Sequence, residues 1–230
     1  MNKRKRTANA FLFVLLSLLA VLFVSPIIIV FINSFKTKFN IISEPFSLPN
    51  SKTFAGADNY ANGINYSGIL PAFFRSLFIT VFAVVVLVIC TSMAAWYITR
   101  VKSKFTKLVY YLFVFSMIVP FQMVMFSMTF TVTSLKLNNL IGIIFVYLGF
   151  GAGLSVFMMS GFVKSIPHEI EEAAMIDGCS PLQTFFMIVF PILKPTAITV
   201  SILNAMWIWN DYLLPYLILG TSNKTMPVAI

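Results

Sequence analysis

The sequence predicts an all-α protein that crosses a membrane several times. Its residues are 59% hydrophobic and only 10% charged, whereas soluble domains are about a quarter charged. The apolar residues are gathered into runs of about 20 or more, which is the length a helix needs to cross a bilayer. Because every backbone polar group in lipid needs an internal partner, these runs are expected to be helices.

Five apolar runs are long enough to span. They cover residues 10–33, 75–98, 108–132, 140–163 and 196–219. Their many Phe, Val and Ile residues favour strands in water, but a membrane strand needs only about 10 residues of alternating polarity. The first run resembles the apolar part of a signal peptide. Because it is long enough to span and no small-residue cleavage site ends it convincingly, we interpret it as a retained helix. The fold class is therefore an all-α polytopic membrane protein with five predicted transmembrane helices.

The positive charges predict which side each loop faces. Ten of the 16 Lys and Arg residues lie on one side of the predicted helices: Lys3, Arg4, Lys5, Arg6, Arg100, Lys102, Lys104, Lys107, Lys164 and Lys194. Because cytoplasmic loops carry an excess of Lys and Arg, we expect the N-terminal tail (residues 1–9) and the loop 164–195 in the cytoplasm. A net charge of +9 would suggest nucleic-acid binding in a soluble protein. Here topology explains the charge, and no nucleic-acid partner is expected.

The loop at residues 34–74 is predicted to lie outside the cell membrane. Its Ser, Pro, Asn and Gly residues indicate turns, with one short amphipathic helix near residues 58–64. The two cysteines, Cys90 and Cys179, are expected at different membrane depths, so we predict neither a disulfide nor a metal site. Residues 75–230 form the predicted membrane core.

The cytoplasmic loop is predicted to form two helices joined by a sharp turn. Pro167 suits the first turn of a helix, and three glutamates follow it at the positive end of the helix dipole. Gly178 fits the position just past the end of that helix. Ser180 and Gln183 then have the spacing of a capping box, which begins a second helix.

The same loop resembles the EAA signature of permease subunits in binding-protein-dependent ABC importers. The family pattern EAA-x3-G-x9-I-x-L-P is matched by Glu172, Ala173, Ala174, Gly178, Ile188 and Pro191. Phe190 replaces the leucine of the pattern. The segments WNDYL at 209–213 and MPVA at 226–229 are similar to the carbohydrate-uptake branch of that family, in particular to the maltose-type second permease subunit.

The resemblance implies a mechanism and a set of partners. A coupling helix at residues 167–177 would dock on a cytoplasmic ATPase, with Glu172 in polar contact, Ala173 and Ala174 allowing a close fit, and Gly178 allowing the bend. Asp177, Ile188 and Pro191 complete the implied coupling set. The implied partners are a second homologous permease, two ATPase subunits that bind ATP and Mg, an extracytoplasmic sugar-binding protein, membrane lipid and a di- or oligosaccharide. This chain lacks the phosphate-binding pattern G-x-x-x-x-G-K-[ST], so no catalytic residue, cofactor or metal is expected in it.

Several polar residues in or near the predicted spans are candidates for lining the translocation pathway. Asp211 is the only acidic residue within a predicted span, and an ionisable group at membrane depth is a functional hypothesis by default. Asn204, Asn210 and Tyr212 accompany it, and Gln122 follows Pro120 in the third run. The alternatives are that Asp211 only fixes helix packing and that Pro120 only introduces a packing kink. A glycine cluster at residues 149–153 predicts close helix packing.

Two other functions stay open at this point. The resembled subunits have six core helices, whereas five are predicted here, so the last helix is expected to be missing. In one alternative, the chain is therefore a truncated fragment of such a subunit that does not transport. A secondary carrier is the other alternative, but it predicts more polar residues inside the spans or inverted repeats with broken helices. The expected location in all cases is a bacterial-type cell membrane, crossed several times.

Overall fold

The computed structural model of the chain describes residues 3–66 and 68–230. Met1, Asn2 and Ser67 lie outside the described residues, and with them the first two positions of the predicted tail. The chain divides into two units after Gly68. The first unit contains α1 (Lys3–Asn33), α2 (Lys38–Ser43) and α3 (Asp58–Tyr66). The second contains α4 (Ile69–Arg100), α5 (Lys104–Ser116), α6 (Phe121–Ser134), α7 (Leu140–Val163), α8 (His168–Ile176), α9 (Pro181–Thr184), α10 (Phe190–Asn210), α11 (Leu213–Leu219) and α12 (Met226–Ala229).

The first unit consists of a long apolar helix and a folded loop. The segment Asn9–Asn33 of α1 has the length and composition of a membrane span. The loop closes on the end of this helix through polar side chains. Asn33 donates a hydrogen bond to the carbonyl of Pro45 (2.8 Å), and the buried Lys36 donates to the carbonyl of Glu44 (2.8 Å). The short helix predicted near residues 58–64 is present as α3.

The core of the second unit lies between α4 and α7, and α10 packs on both. Buried residues recur every three or four positions along α4, as expected for one face of a helix. Among them, Leu87 belongs to the same buried cluster as Val156 of α7 and Val200 of α10. This three-helix core positions the loop 164–195 at one end and the polar residues near the end of α10 at the other.

Glycines in α7 allow its neighbours to approach closely. A Cβ on Gly151 would collide with the side chain of Leu87, and a Cβ on Gly153 would lie 2.7 Å from the carbonyl oxygen of Phe113 in α5. A Cβ on Gly149 would meet no heavy atom of the described residues within 4 Å. The close packing predicted for this cluster is therefore found at Gly151 and Gly153, but not at Gly149.

The third predicted span is not one helix. α5 and α6 are bent by 108° at a short break, so the continuous helix predicted over residues 108–132 is wrong. Pro120 begins α6 with an extended backbone (φ −62°, ψ 138°). Because proline disfavours helical geometry in the residue before it, a new helix starts here at a steep angle. The structure therefore has a break between two helices at Pro120 and not a packing kink within one helix.

The last span begins and ends earlier in the chain than predicted, and it starts within the loop 164–195. A single apolar helical segment runs over Pro181–Asn210, so the predicted bounds 196–219 are wrong at both ends. Pro191 lies inside this segment because a π-helical turn, Phe185–Val189, precedes it. The wider turn accommodates a proline ring that clashes with the carbonyl four residues earlier in a regular α-helix. Four described helices have the length and composition of a span, and the bent pair would make a fifth. The second of them begins at Ile69, earlier than the predicted Arg75.

Candidate functional site

The helix predicted at residues 167–177 is present as α8. Pro167 precedes it with an extended backbone, and Asp177 ends it. Gly178 follows in the left-handed region at φ +91°, which glycine adopts without steric cost. The N–H groups of Gly178 and Cys179 donate to the carbonyls of Met175 (3.1 Å) and Ala174 (3.0 Å). These two bonds form a Schellman motif, which closes the helix and turns the chain sharply.

The second helix of the loop starts at the predicted capping box. The N–H of Ser180 donates to Oε1 of Gln183 (2.8 Å), and the N–H of Gln183 donates to Oγ of Ser180 (3.4 Å). Ile188 is half-buried in the π-helical turn beyond it, and Pro191 is exposed in the first turn of α10. These two members of the predicted coupling set therefore belong to the helix that enters the membrane core, and not to α8.

A buried ion pair fixes α8 to the end of α4. Glu171 is 2% exposed and accepts hydrogen bonds from Nε and Nη2 of Arg100 (3.0 and 2.6 Å) and from Nε1 of Trp96 (2.9 Å). Arg100 also donates to the carbonyl of Ile166, just before α8 (3.0 Å). Charge-assisted bonds of this kind are about twice as strong as neutral ones. The position of α8 is therefore tied directly to a long core helix.

Sequence reasoning missed this anchor. It predicted only that Glu171 interacts favourably with the positive end of the helix dipole and that Arg100 marks the cytoplasmic side of the membrane. One signal was available: neighbouring helical residues point about 100° apart, so Glu171 and Glu172 cannot both face the same side. The structure places Ala174 on the buried face with Glu171. Ala174 therefore packs within this chain, which corrects the prediction that both alanines face a partner.

The exposed face of α8 carries the rest of the predicted coupling set. Glu172, Ala173, Asp177 and Gly178 are exposed. Nδ1 of His168 lies 2.9 Å from Oε1 of Glu172, one helical turn away. Three apolar side chains are also exposed on this short helix: Ile170 (41%), Met175 (46%) and Ile176 (85%). Exposed apolar residues rimmed by carboxylates are typical of a protein-binding surface.

Two of the five candidate pathway residues hold α10 against α7. The buried Asn204 donates to Oγ of Ser155 in α7 (3.2 Å) and to the carbonyl of Val200 (2.9 Å). Asp211 accepts a hydrogen bond at Oδ2 from the hydroxyl of Tyr147 in α7 (3.1 Å). Sequence reasoning had not singled out Ser155 or Tyr147, because their partners lie far away along the chain.

Asp211 also shapes the backbone where α10 ends. Its Oδ1 accepts hydrogen bonds from the N–H groups of Leu213 (3.1 Å) and Leu214 (3.4 Å), which start α11. Capping a helix start in this way satisfies donors that have no partner within the helix. The geometry therefore favours the packing alternative for this carboxylate.

The other three candidate pathway residues are exposed. Asn210 donates to the carbonyl of Met206 (2.7 Å), and the ring of Tyr212 stacks on that of Tyr216, with centroids 5.6 Å apart and planes at 11°. Gln122 lies in the first turn of α6. Within the described part of the chain it forms no hydrogen bond with the other four candidates, so the structure does not unite all five in one cluster.

The family model for the inner membrane component of binding-protein-dependent transport systems matches residues 87–230. The chain belongs to this family. It is 40% identical over 213 residues to a probable starch degradation products transport system permease of Thermoanaerobacterium thermosulfurigenes, an alignment that covers 92% of this chain and 77% of the relative.

Other members of the permease family are also similar. The multiple sugar-binding transport system permease of Streptococcus mutans is 35% identical over 233 positions, covering 99% of this chain and 83% of the relative. The fold matches a solved chain of a bacterial ABC transporter involved in the import of the acidic polysaccharide alginate. The TM-score is 0.84 at 23% identity, with 100% of this chain and 80% of that chain covered.

Proposed function

We propose that this chain is the transmembrane permease subunit of an ATP-driven importer for a di- or oligosaccharide. The family assignment supports the permease role, and the names of the relatives, which refer to starch products and multiple sugars, support the substrate class. In this proposal the partners are a homologous permease, two ATPase subunits that bind ATP and Mg, and an extracytoplasmic sugar-binding protein. The chain itself is not an enzyme.

The observation that carries the coupling part of the proposal is the construction of α8. Its buried face is held to α4 by Glu171 and Arg100, while its exposed face offers Glu172, Ala173 and apolar side chains to a partner. A helix held in this way moves as a rigid body with the core when a partner pulls on it. We assign this face to a cytoplasmic ATPase subunit, with the N-terminus on the same side.

The sugar pathway in this proposal lies beside the two helix breaks, at residues 117–120 and 211–212. α11, which follows the second break, packs on α6, which follows the first. Broken helices expose backbone groups that can bind polar substrates at membrane depth. Tyr212, Asn210 and Gln122 are the exposed side chains we assign to the pathway, whereas Asn204 and Asp211 hold the helices that carry them.

Co-purification and uptake together test the proposal. A tagged permease is expressed with its partner subunits, and the amount of ATPase retained is compared between the wild type and the variants Glu172→Lys and Gly178→Asp. Both variants are expected to lose most of the ATPase, because one reverses a charge on the exposed face and the other places a side chain at φ +91°. As a control, Glu44→Lys makes the same charge change in the loop 34–74, and this variant is expected to retain the ATPase.

Uptake of a labelled oligosaccharide separates coupling from substrate binding. Tyr212→Ala is expected to raise the KM for uptake while ATPase retention stays at the wild-type level. Full ATPase retention by Glu172→Lys and Gly178→Asp would contradict the coupling role of α8. An unchanged KM in Tyr212→Ala would contradict only the pathway assignment.

A further inference from the structure

A basic pocket lies between the end of α4, the start of α5 and the end of α7. Its volume is about 510 Å³. The lysines that line it are Lys102, Lys104, Lys107 and Lys164. Within the described residues the ion pairs are Arg100–Glu171 and His168–Glu172, so none of these four lysines is paired with a carboxylate. Four like charges around one cavity repel one another, and an anion bound between them would relieve this repulsion.

The start of α5 adds to the positive potential. Lys104 and Lys107 lie in its first turn, and no acidic residue does. The N-terminus of a helix carries the positive end of the dipole, where acidic side chains are normally favoured. Here the compensating negative charge does not come from the helix itself. Glu169 lines a neighbouring cavity that also includes Lys102 and Lys164, and that cavity extends to α8.

Two residues that line the pocket have buried hydroxyls without a hydrogen-bond partner among the described residues. Ser160, which lines the pocket, is 1% exposed, and its buried Oγ has no hydrogen-bond partner among the described residues. Thr99 also lines the pocket, and its buried Oγ1 likewise lacks a partner in the part of the chain that the structure describes. A buried hydroxyl is normally satisfied. The packing of the described residues does not explain these two hydroxyls, and the four lysines supply the donors that suit a phosphate group.

The surroundings of the pocket favour a lipid over a soluble anion. The ammonium groups of Lys107 and Lys164 lie 6.0 and 5.6 Å from the ring centres of Tyr111 and Tyr110. Tyrosines are enriched at membrane–water interfaces. Phe105, in the first turn of α5, is 69% exposed, which offers an apolar surface to an acyl chain next to the charged cavity.

We propose that the basic pocket binds the phosphate of an anionic phospholipid in the cytoplasmic leaflet. The assignment to this leaflet rests on the orientation in the proposed function. Basic pockets between membrane helices on this side are suited to such headgroups. Each lysine near a membrane surface contributes roughly fivefold to the affinity for anionic lipid, so removing three is expected to weaken binding on the order of 100-fold.

Lipid retention tests the proposal. The complete transporter is purified from membranes containing phosphatidylglycerol and phosphatidylethanolamine, and bound lipid is quantified by native mass spectrometry. The variant Lys102→Gln/Lys107→Gln/Lys164→Gln is expected to lose the bound phosphatidylglycerol. The control Lys38→Gln/Lys52→Gln/Lys194→Gln removes the same charge at exposed positions outside the pocket and is expected to retain it.

The outcomes separate this proposal from the transport function. Loss of phosphatidylglycerol from the pocket variant alone, with ATPase subunits still co-purifying, supports the lipid site. Equal retention by the pocket and control variants overturns it, whatever the transport activity is. Displacement of the bound phosphatidylglycerol from the wild type by excess inorganic phosphate assigns the pocket to a soluble phosphate and overturns the lipid assignment.

Discussion

Two neighbouring glutamates in α8 have opposite environments. Glu171 is 2% exposed and bound to Arg100, whereas the side chain of Glu172 is 60% exposed and pairs with the exposed His168. The sequence motif predicts an ATPase contact for Glu172 from a local pattern, and this role stays a prediction. The role of Glu171 depends on a partner 71 residues away, and no local spacing reveals such a contact.

This difference predicts unequal effects on stability. Glu171→Ala leaves the guanidinium of Arg100 largely buried without its carboxylate, which is expected to reduce the free energy of unfolding by about 3 kcal/mol or more. Glu172→Ala removes an exposed pair within one helix, for which the expected loss is about 0.5 kcal/mol or less. Thermal unfolding of the purified subunit in detergent measures both.

A double variant checks the physical reason for the larger effect. Arg100→Met/Glu171→Met replaces the ion pair with apolar side chains, and it is expected to recover much of the stability that Glu171→Ala loses. Equal midpoints for Glu171→Ala and Glu172→Ala would contradict the anchoring role of the buried pair.

At the scale of the helices, local signals predicted ends better than hydropathy did. The capping box at Ser180 and the turn at Gly178 are where the sequence places them, because each depends on residues only a few positions apart. The predicted bounds 108–132 and 196–219 were wrong because hydropathy reports only apolar composition, which is the same for a broken helix and for a continuous one. The presence of proline does not by itself show where a helix breaks. Pro120 directly precedes a new helix, whereas Pro191 lies within a continuous helical segment, just after a π-helical turn.

The glycines of α7 offer a matched test of how tightly the helices pack. Gly153→Ala places a carbon 2.6 Å from Oγ of Ser116 and 2.7 Å from the carbonyl oxygen of Phe113, so it is expected to destabilise the subunit by about 1–3 kcal/mol. Gly149→Ala meets no atom within 4 Å and is expected to stabilise α7 by up to about 1 kcal/mol through helix propensity. Unfolding midpoints that shift in opposite directions would confirm the packing, and a fall of the same size in both variants would contradict it.

At the scale of the whole molecule, the orientation joins the two proposals. The basic pocket includes Lys164, which lies directly after α7 and shortly before α8. In the orientation where α8 faces the cytoplasm, the pocket meets the cytoplasmic leaflet. The count of positive charges predicts this side without using the EAA signature, so the orientation can be tested separately from ATPase binding.

The native cysteines provide the test. Cys179 is half-buried in the turn between α8 and α9, whereas Cys90 lies within the apolar α4. A membrane-impermeant maleimide is expected to label Cys179 in inside-out vesicles and not in intact cells. Cys90 is exposed on the surface of this apolar helix and is expected to stay unlabelled in both, because the charged reagent does not enter the hydrocarbon region that α4 spans.

Three variants complete the topology experiment. Cys90→Ser leaves Cys179 as the only thiol, and Cys90→Ser/Cys179→Ser gives the background signal. Adding Ser51→Cys to the latter places an exposed thiol in the loop 34–74, which is expected to label in intact cells. Labelling of Cys179 from outside would reverse the orientation and remove the basis for both the ATPase contact and the lipid leaflet. If the orientation holds, co-expressed ATPase subunits are expected to slow the labelling of Cys179, because the partner would cover the turn that follows α8.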